Sequence, residues 1–170
     1  MTNPVLSLSD LEVGQVLASR EIAITRDTLV RYAGASGDFN AIHYNDAVAE
    51  QVGLPGVIAH GMLTMGTAIT VVTDAIGDPA AIRSYSTRFT KPVPVPALGA
   101  AALLVTVTVR GIDAAAGTAE LDLTAESGGA KVLGKARAVV ALPGTVHQPG
   151  TADENGAAGA GAEAAHGAGA

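Results

Sequence analysis

The stretch "PGVIAHGMLTMGTAITVVTDAIG", residues 55–77, decides the fold. No Asp, Glu, Lys or Arg occurs between Pro55 and Thr73, and a Pro-Gly pair precedes the apolar run. The pattern predicts one long uncharged helix over residues 60–76, ended by Gly77. Its four threonines keep the purely apolar runs short, whereas a membrane span needs about 20 predominantly apolar residues. We therefore expect a helix that is buried at the centre of a soluble core.

The residues after Gly77 change from a helical period to a period of two. Alternating patterns predict strands over 83–92, 101–111, 118–127 and 131–142, and "SGGAK" at 127–131 is typical of a tight hairpin. An earlier extended segment covers residues 13–24. The last strand is predicted to present only small residues on one face, namely Val132, Gly134, Ala136, Ala138 and Val140.

A sheet face of small residues lets a helix lie close against it. We therefore predict an α+β layer, in which a curved antiparallel sheet wraps around the long central helix. One sheet cannot cover a helix that is uncharged all round, so we expect a second subunit to cover the remainder.

The segment before the long helix predicts two shorter helices. Thr25 is expected to cap a helix that begins at Arg26 and ends at Gly34 or Gly37. Asn45 or Asp46 can cap the next helix, which Gly53 stops.

Composition limits the function classes. The chain has 170 residues, 48% hydrophobic content and a net charge of −6, and its ten Lys and Arg residues are scattered. This argues against nucleic-acid binding, which relies on clustered basic residues. There is no cysteine, which excludes disulfide and thiolate chemistry and fits a cytoplasmic protein. The N-terminus shows no signal-peptide pattern.

The chain is predicted to contain one ordered domain, residues 1–142, and a disordered tail, residues 143–170. From Gly156 onward every residue except Glu163 and His166 is Gly or Ala. Such a segment has no large side chains to bury, so it cannot offset the entropy lost on ordering.

Asp38, Asn40 and His43 form a polar group within the small residues of "YAGASGDFNAIHYNDAVA" (32–49). One interpretation is that Asp38 and Asn40 only form turns or caps and that His43 is a partly buried histidine whose hydrogen bonds are satisfied. The alternative is acid–base chemistry on a neutral substrate. Burial can then shift the pKa values of the carboxyl and of the imidazole towards neutrality. The helix that begins near Gly61 offers backbone N–H donors for a developing oxyanion. Together these groups suit proton movement alpha to a thioester carbonyl.

These motifs resemble a known family. "YAGASGDFNAIHYNDAVA" resembles the signature of the R-specific enoyl-thioester hydratases, the MaoC-like dehydratases of the hotdog-fold superfamily. "GLPGVIAHGMLTMG" (53–66) and "RFTKPVPVP" (88–96) are similar to later stretches of that family. The resemblance covers roughly residues 9–142. Within the family, the chain resembles the small actinobacterial proteins related to the catalytic subunit of the (3R)-hydroxyacyl-ACP dehydratase.

The resemblance implies roles for individual residues. Asp38 and His43 would be the catalytic dyad that holds the water or departing hydroxyl, with the roles of acid and base open between them. Asn40 would orient the dyad or the water, and Gly61 would supply the oxyanion-hole N–H. Ala41 departs from the family pattern, which usually has Pro there, and this loosens the loop.

Other residues are expected to meet the substrate. The residues that we expect to bind substrate are Ser36, His60, Met62 and Arg88. The expected substrate is an acyl thioester of coenzyme A or of acyl carrier protein, the expected assembly is a homodimer or a heterodimer with another hotdog subunit, and no cofactor or metal is needed.

Three rival interpretations stay open at this point. A hotdog thioesterase usually needs an acid on the long helix, and here the first is Asp74, near its far end. A partner subunit that only binds the acyl chain would not need Asp38 and His43. A metal site could use Asp38, His43 and His60, although no HxH or HExxH spacing supports it.

Overall fold

The computed structural model describes residues 6–143. Its helices are α1 (Arg26–Ser36), α2 (Asp46–Gln51) and α3 (Gly61–Ile76), with short 3-10 helices at Leu8–Asp10, Ala41–His43 and Pro79–Ala81. Its strands are β1 (Val16–Ile24), β2 (Ile82–Phe89), β3 (Ala101–Asp113), β4 (Thr118–Ser127) and β5 (Ala130–Ala141). The predicted tail lies almost entirely outside the described residues.

The five strands form one antiparallel sheet in the order β1-β3-β4-β5-β2. Helix α3 packs against it and contributes Thr64, Ala68, Val71, Val72 and Ile76 to the buried interior. The α+β prediction, with one sheet built around the long helix, is confirmed. The predicted strands lie where the period-two pattern placed them, although β2 ends at Phe89 rather than Pro92.

Inner-face pairs of β4 and β5 match a large residue with a small one. Leu121 lies opposite Ala138, and Leu123 lies opposite Ala136. All four side chains are buried. Because each alanine leaves room beside its larger partner, the sheet presents a smooth inner surface against which α3 can pack closely.

The strict alternation predicted for β5 is wrong near its start. Val132 and Leu133 are both buried, and the register against β4 shifts twice between Lys131 and Ala136. Lys135 has a φ of 52°, which identifies this irregularity as a bulge. Gly134 therefore does not continue the buried face, whereas Ala136, Ala138 and Val140 do.

Helix boundaries follow the predicted caps. The Thr25 hydroxyl accepts the Thr28 N–H at the start of α1, and Gly37 ends that helix with a φ of 76°. The Asn45 side chain accepts the Val48 N–H at the start of α2. Gly77 ends α3 with a φ of 79°. Left-handed backbone at Gly37 and Gly77 is what a glycine adopts without strain.

One stripe of α3 is not covered within a single chain. Met62, Gly66, Thr70 and Asp74 recur every fourth residue and are exposed. Residues at this spacing share one helix face.

Among residues 6–143, no helix is long and apolar enough to cross a bilayer.

Ala138→Leu tests the packing of α3 on the sheet. A leucine opposite Leu121 adds volume where the register leaves room only for alanine. We expect the free energy of unfolding to fall by about 1–3 kcal/mol, measured by urea denaturation. Val139→Leu, one residue along on the partly exposed face, is the control and should change it by less than about 0.5 kcal/mol. Equal losses would contradict close packing at Ala138.

Candidate active site

The loop after α1 is organised by its own polar side chains. The Ser36 hydroxyl donates to the Tyr32 carbonyl at 2.8 Å and accepts the Asp38 N–H at 3.2 Å. The Asp38 carboxylate accepts the Asn40 N–H at 3.2 Å. These are the hydrogen bonds of a turn, and Ser36 uses its hydroxyl in them.

Asn40 acts on the next segment through the backbone. Its side-chain oxygen accepts the Ile42 N–H at 3.3 Å and so caps the 3-10 helix Ala41–His43. His43 is the last residue of that short helix. The turn interpretation is therefore correct for the Asn40 side chain, and the cap fixes the direction in which His43 leaves the loop.

His43 is held by a single hydrogen bond to the backbone. It is 8% exposed, and its Nδ1 lies 2.8 Å from the Ile58 carbonyl oxygen. A carbonyl only accepts, so Nδ1 carries the proton. In the neutral ring Nε2 then has a free lone pair, which is the state a general base needs.

His60 lies directly against His43. The two ring centroids are 3.8 Å apart and the planes are inclined by 23°, so the rings stack. The Tyr32 ring also packs against His60, with ring centroids 4.8 Å apart. His60 Nε2 donates to the Asp38 carbonyl oxygen at 3.1 Å. His60 thus connects the Asp38 backbone with the His43 ring.

Burial keeps His60 neutral. It is 1% exposed, and its Nδ1 has no hydrogen-bond partner within the described residues. Burial lowers the pKa of His60, the hydrogen bond to the Asp38 backbone raises it in part, and the neighbouring His43 lowers it further. The net effect is a pKa below the ordinary value of 6.5. A positive charge on His60 is therefore disfavoured in the folded protein.

The Asp38 carboxylate lies beside both rings but is exposed. One carboxylate oxygen and one nitrogen of each ring, those of His43 and His60, all lie within 4.8 Å of one another. Within residues 6–143 there is no direct hydrogen bond between the Asp38 and His43 side chains. A gap of this size suits one bridging water or hydroxyl. In the single chain Asp38 is exposed, whereas His43 is buried.

The start of α3 supplies unused donors at the same place. The first hydrogen bond within the helix runs from the Thr64 N–H to the His60 carbonyl at 3.0 Å. The N–H groups of Gly61, Met62 and Leu63 precede it and have no partner within the helix. They point outward at the positive end of the helix dipole.

An apolar cavity of about 360 Å³ joins these groups. Its lining includes His43, Gly61 and Thr64 on one side and Phe89, Val132 and Leu133 on the sheet side. The cavity therefore brings the His43 ring, a helix N-terminus and apolar walls together.

Phe89 is a feature of this cavity that sequence reasoning missed. A Cβ placed on Gly61 would lie only 3.2 Å from the Phe89 ring. Glycine at position 61 thus permits the ring to rest against the first turn of α3. The Phe89 side chain is large and apolar, yet it is 54% exposed. Its position at the end of a strand gave no signal of its contact with Gly61.

None of the four residues expected to bind substrate, which are Ser36, His60, Met62 and Arg88, belongs to the cavity lining. Met62 is 58% exposed, and Arg88 is exposed on β2. Neither is among the lining residues. Their side chains stay predictions, whereas the Met62 N–H belongs to the free helix start.

Geometry bears on two of the rival interpretations. The His43 and His60 rings are nearly parallel and their centroids are 3.8 Å apart. They therefore cannot both direct an in-plane lone pair at one ion about 2 Å away. A thioesterase acid on α3 would have to be Asp74, which forms an ion pair with Arg20 at 2.7 Å. Both features favour the acid–base interpretation.

A family model described as a MaoC like domain matches residues 10–126. The chain belongs to the MaoC-like family. Solved structures that share its fold include the following two. A MaoC-like dehydratase has a TM-score of 0.79 and 36% identity, over 81% of this chain and 42% of that one. The (R)-hydratase from A. caviae involved in PHA biosynthesis has a TM-score of 0.69 and 27% identity, over 78% and 98%.

Two curated relatives match shorter stretches. 3-hydroxyacyl-thioester dehydratase X of Mycobacterium tuberculosis is 43% identical over 76 residues, which is 45% of this chain and 26% of that protein. Peroxisomal enoyl-CoA hydratase 2 of Arabidopsis thaliana is 39% identical over 56 residues, 32% of this chain and 18% of that protein. This chain spans about a quarter or less of the length of these two relatives.

The pH dependence of stability tests the neutrality of His60. The unfolded chain binds a proton at His60 near pH 6.5, whereas the native state resists it. Native stability therefore falls as the pH drops from about 7.5 through 6.5. His60→Gln keeps an N–H donor but cannot titrate, so its Tm should fall less over this range in a thermal-melt series. Parallel curves for the two proteins would contradict a buried, neutral His60.

Proposed function

We propose that this chain is an (R)-specific hydratase of 2-enoyl thioesters, which in reverse is a (3R)-hydroxyacyl-thioester dehydratase. The observation that carries the proposal is the meeting of three groups. The free Nε2 of His43, the Asp38 carboxylate and the unused N–H groups of α3 adjoin one site, and His43 and Gly61 line its apolar cavity.

The hydration step uses these groups in order. A water held between Asp38 and His43 adds its oxygen to C3 of the enoyl group, and its proton passes to the dyad. The electron pair of the double bond moves toward the thioester carbonyl, whose oxygen becomes negative. The Gly61 N–H and the helix dipole stabilise that charge. C2 then receives a proton from the dyad, so that the elements of one water are added and no cofactor is consumed.

The division of labour within the dyad follows from protonation. His43 with its Nδ1 proton fixed by Ile58 can accept a proton at Nε2 and return it. Asp38, with its carbonyl held by His60, can hold the water through its carboxylate. We assign His43 the proton transfer and Asp38 the positioning of the water, and the two can share the proton through that water.

A second subunit belongs to this proposal. The exposed stripe of α3 begins at Met62, next to Gly61 of the site, and the Asp38 carboxylate is also exposed. A homodimer or a heterodimer with another hotdog subunit would cover them. In a heterodimer this chain is the catalytic member, because it has both Asp38 and His43. We expect a cytoplasmic enzyme, in keeping with a chain that has no cysteine.

Turnover is the first test. The purified chain, alone and co-expressed with a second hotdog subunit, should hydrate trans-2-butenoyl-CoA to the (3R) product. The measurement is the loss of enoyl absorbance, followed by chiral analysis of the product. Absence of turnover in both preparations, or formation of the (3S) product, would contradict the proposal.

The dyad is tested by Asp38→Asn and His43→Gln. Each removes one polar function with little change in volume, and each should lower kcat by about 10²–10⁴-fold while the circular dichroism spectrum stays unchanged. Glu50→Gln on α2 is the matched control, since it also removes a carboxylate but lies outside the cavity lining. Near wild-type rates in both dyad variants would show that the dyad is wrongly assigned.

A further inference from the structure

His60 is a buried polar residue that the proposed proton transfer does not use. It is 1% exposed and does not line the catalytic cavity, so a substrate in that cavity does not contact it. Its Nδ1 has no hydrogen-bond partner within residues 6–143. A buried nitrogen without a partner destabilises the folded state, whereas an apolar side chain of similar size would avoid that cost. An imidazole at this position therefore indicates a role other than stability.

The main chain that carries the His60 ring is fixed on both sides. The N–H of the preceding residue, Ala59, donates to the Val93 carbonyl at 2.8 Å. The His60 carbonyl accepts the Thr64 N–H at 3.0 Å and the Thr64 hydroxyl at 3.2 Å. Because α3 begins at the next residue and packs against the sheet, the His60 ring projects from a part of the chain that is held in place.

Asp38, in contrast, lies in an exposed loop that His60 ties to the core. Residues 34–40 are all exposed, and exposed segments with few contacts open easily. The Asp38 carbonyl oxygen accepts the His60 Nε2–H at 3.1 Å. Within residues 6–143, the other hydrogen bonds of Asp38 are with Ser36 and Asn40 of the same loop. The bond from His60 is therefore the one that fixes this loop against the start of α3.

The His60 ring also limits the movement of the His43 ring. The hydrogen bond from His43 Nδ1 to the Ile58 carbonyl, 2.8 Å long, fixes one ring atom, but the ring can still rotate about that bond. The stacked His60 ring, inclined by 23° with its centroid 3.8 Å away, blocks this rotation on one face. Tyr32 packs against His60 with centroids 4.8 Å apart and so supports the ring that does the blocking.

We propose that His60 is a positioning residue for both members of the dyad. Its Nε2–H holds the Asp38 main chain, and its ring face holds the plane of His43, so that one water can lie between the two side chains. The inference rests on the proposed function but assigns no chemical step to His60. This role differs from the substrate contact that the sequence suggested. A displacement of the dyad by a fraction of an ångström slows the reaction, whereas substrate binding in the cavity does not involve His60.

Two substitutions separate the two contacts. His60→Gln keeps an N–H donor for the Asp38 carbonyl but has no aromatic face, whereas His60→Phe keeps the face but has no donor. For trans-2-butenoyl-CoA we expect each variant to lower kcat about tenfold with KM within about twofold. Tyr85→Phe is the control. It removes the hydrogen bond from the Tyr85 hydroxyl to the Met65 carbonyl of α3, which perturbs the helix without touching the dyad, and it should leave kcat unchanged.

Double variants show whether each effect passes through the dyad. In a His43→Gln background, His60→Gln should lower the remaining rate by less than about twofold, because the ring that it orients is gone. In an Asp38→Asn background, His60→Phe should likewise have little further effect. A merely structural role for His60 predicts the same tenfold loss in every background, and that result would overturn the proposal.

Backbone nitrogen-15 relaxation without substrate separates this inference from the proposed function. The order parameter of the Asp38 amide should be about 0.85 in wild type and should fall below about 0.6 in His60→Phe, while Tyr85→Phe matches wild type. That fall supports the positioning of the loop by His60 even if no hydration is seen, in which case the proposed function alone fails. Unchanged order parameters together with wild-type kcat in both His60 variants would overturn the inference and leave the proposed function intact.

Discussion

The packing of the uncharged helix α3 against the inner face of the sheet is the constraint on which the rest of the structure depends. With no acid or base before Asp74, the helix contributes no charge to the interior. The alternating large and small residues of β4 and β5, such as Leu121 opposite Ala138, make the surface that receives it. Because the helix is fixed against the sheet, its first residue is fixed as well, and the Gly61 N–H meets the cavity at a defined place.

The candidate site is held mainly by main-chain groups near that helix start. Ile58, three residues before Gly61, presents its carbonyl to His43, and His60 reaches back to the carbonyl of Asp38. Two histidines thus use one nitrogen each to join the loop to the segment that leads into α3. Burial disfavours a positive charge on the His60 ring, which stacks on His43. Proton transfer needs a fixed direction for each lone pair, and hydrogen bonds to carbonyls supply it.

Much of the fold was predictable because its signals are local. The uncharged run, the period-two strands and the caps at Thr25 and Gly77 each depend on a few neighbouring residues. The alternation of β5 failed because its bulge near Lys135 inserts extra residues, which is visible only against the partner strand. In the site, residue type identified Asp38 and His43 as candidates. The tautomer, the stacking of the two rings and the Phe89 contact depend on distances between residues far apart in sequence, so no pattern along the chain contains them.

The direction of the His43 lone pair is the central claim, and nitrogen-15 NMR of the labelled imidazole measures it. At neutral pH in the ligand-free protein, Nδ1 of His43 should have the chemical shift of a protonated ring nitrogen, because it donates to Ile58, and Nε2 should have that of an unprotonated one. His43→Gln identifies the signal by its loss. A spectrum in which Nε2 carries the proton and Nδ1 does not would contradict the account, since the base would then point at the backbone instead of into the cavity.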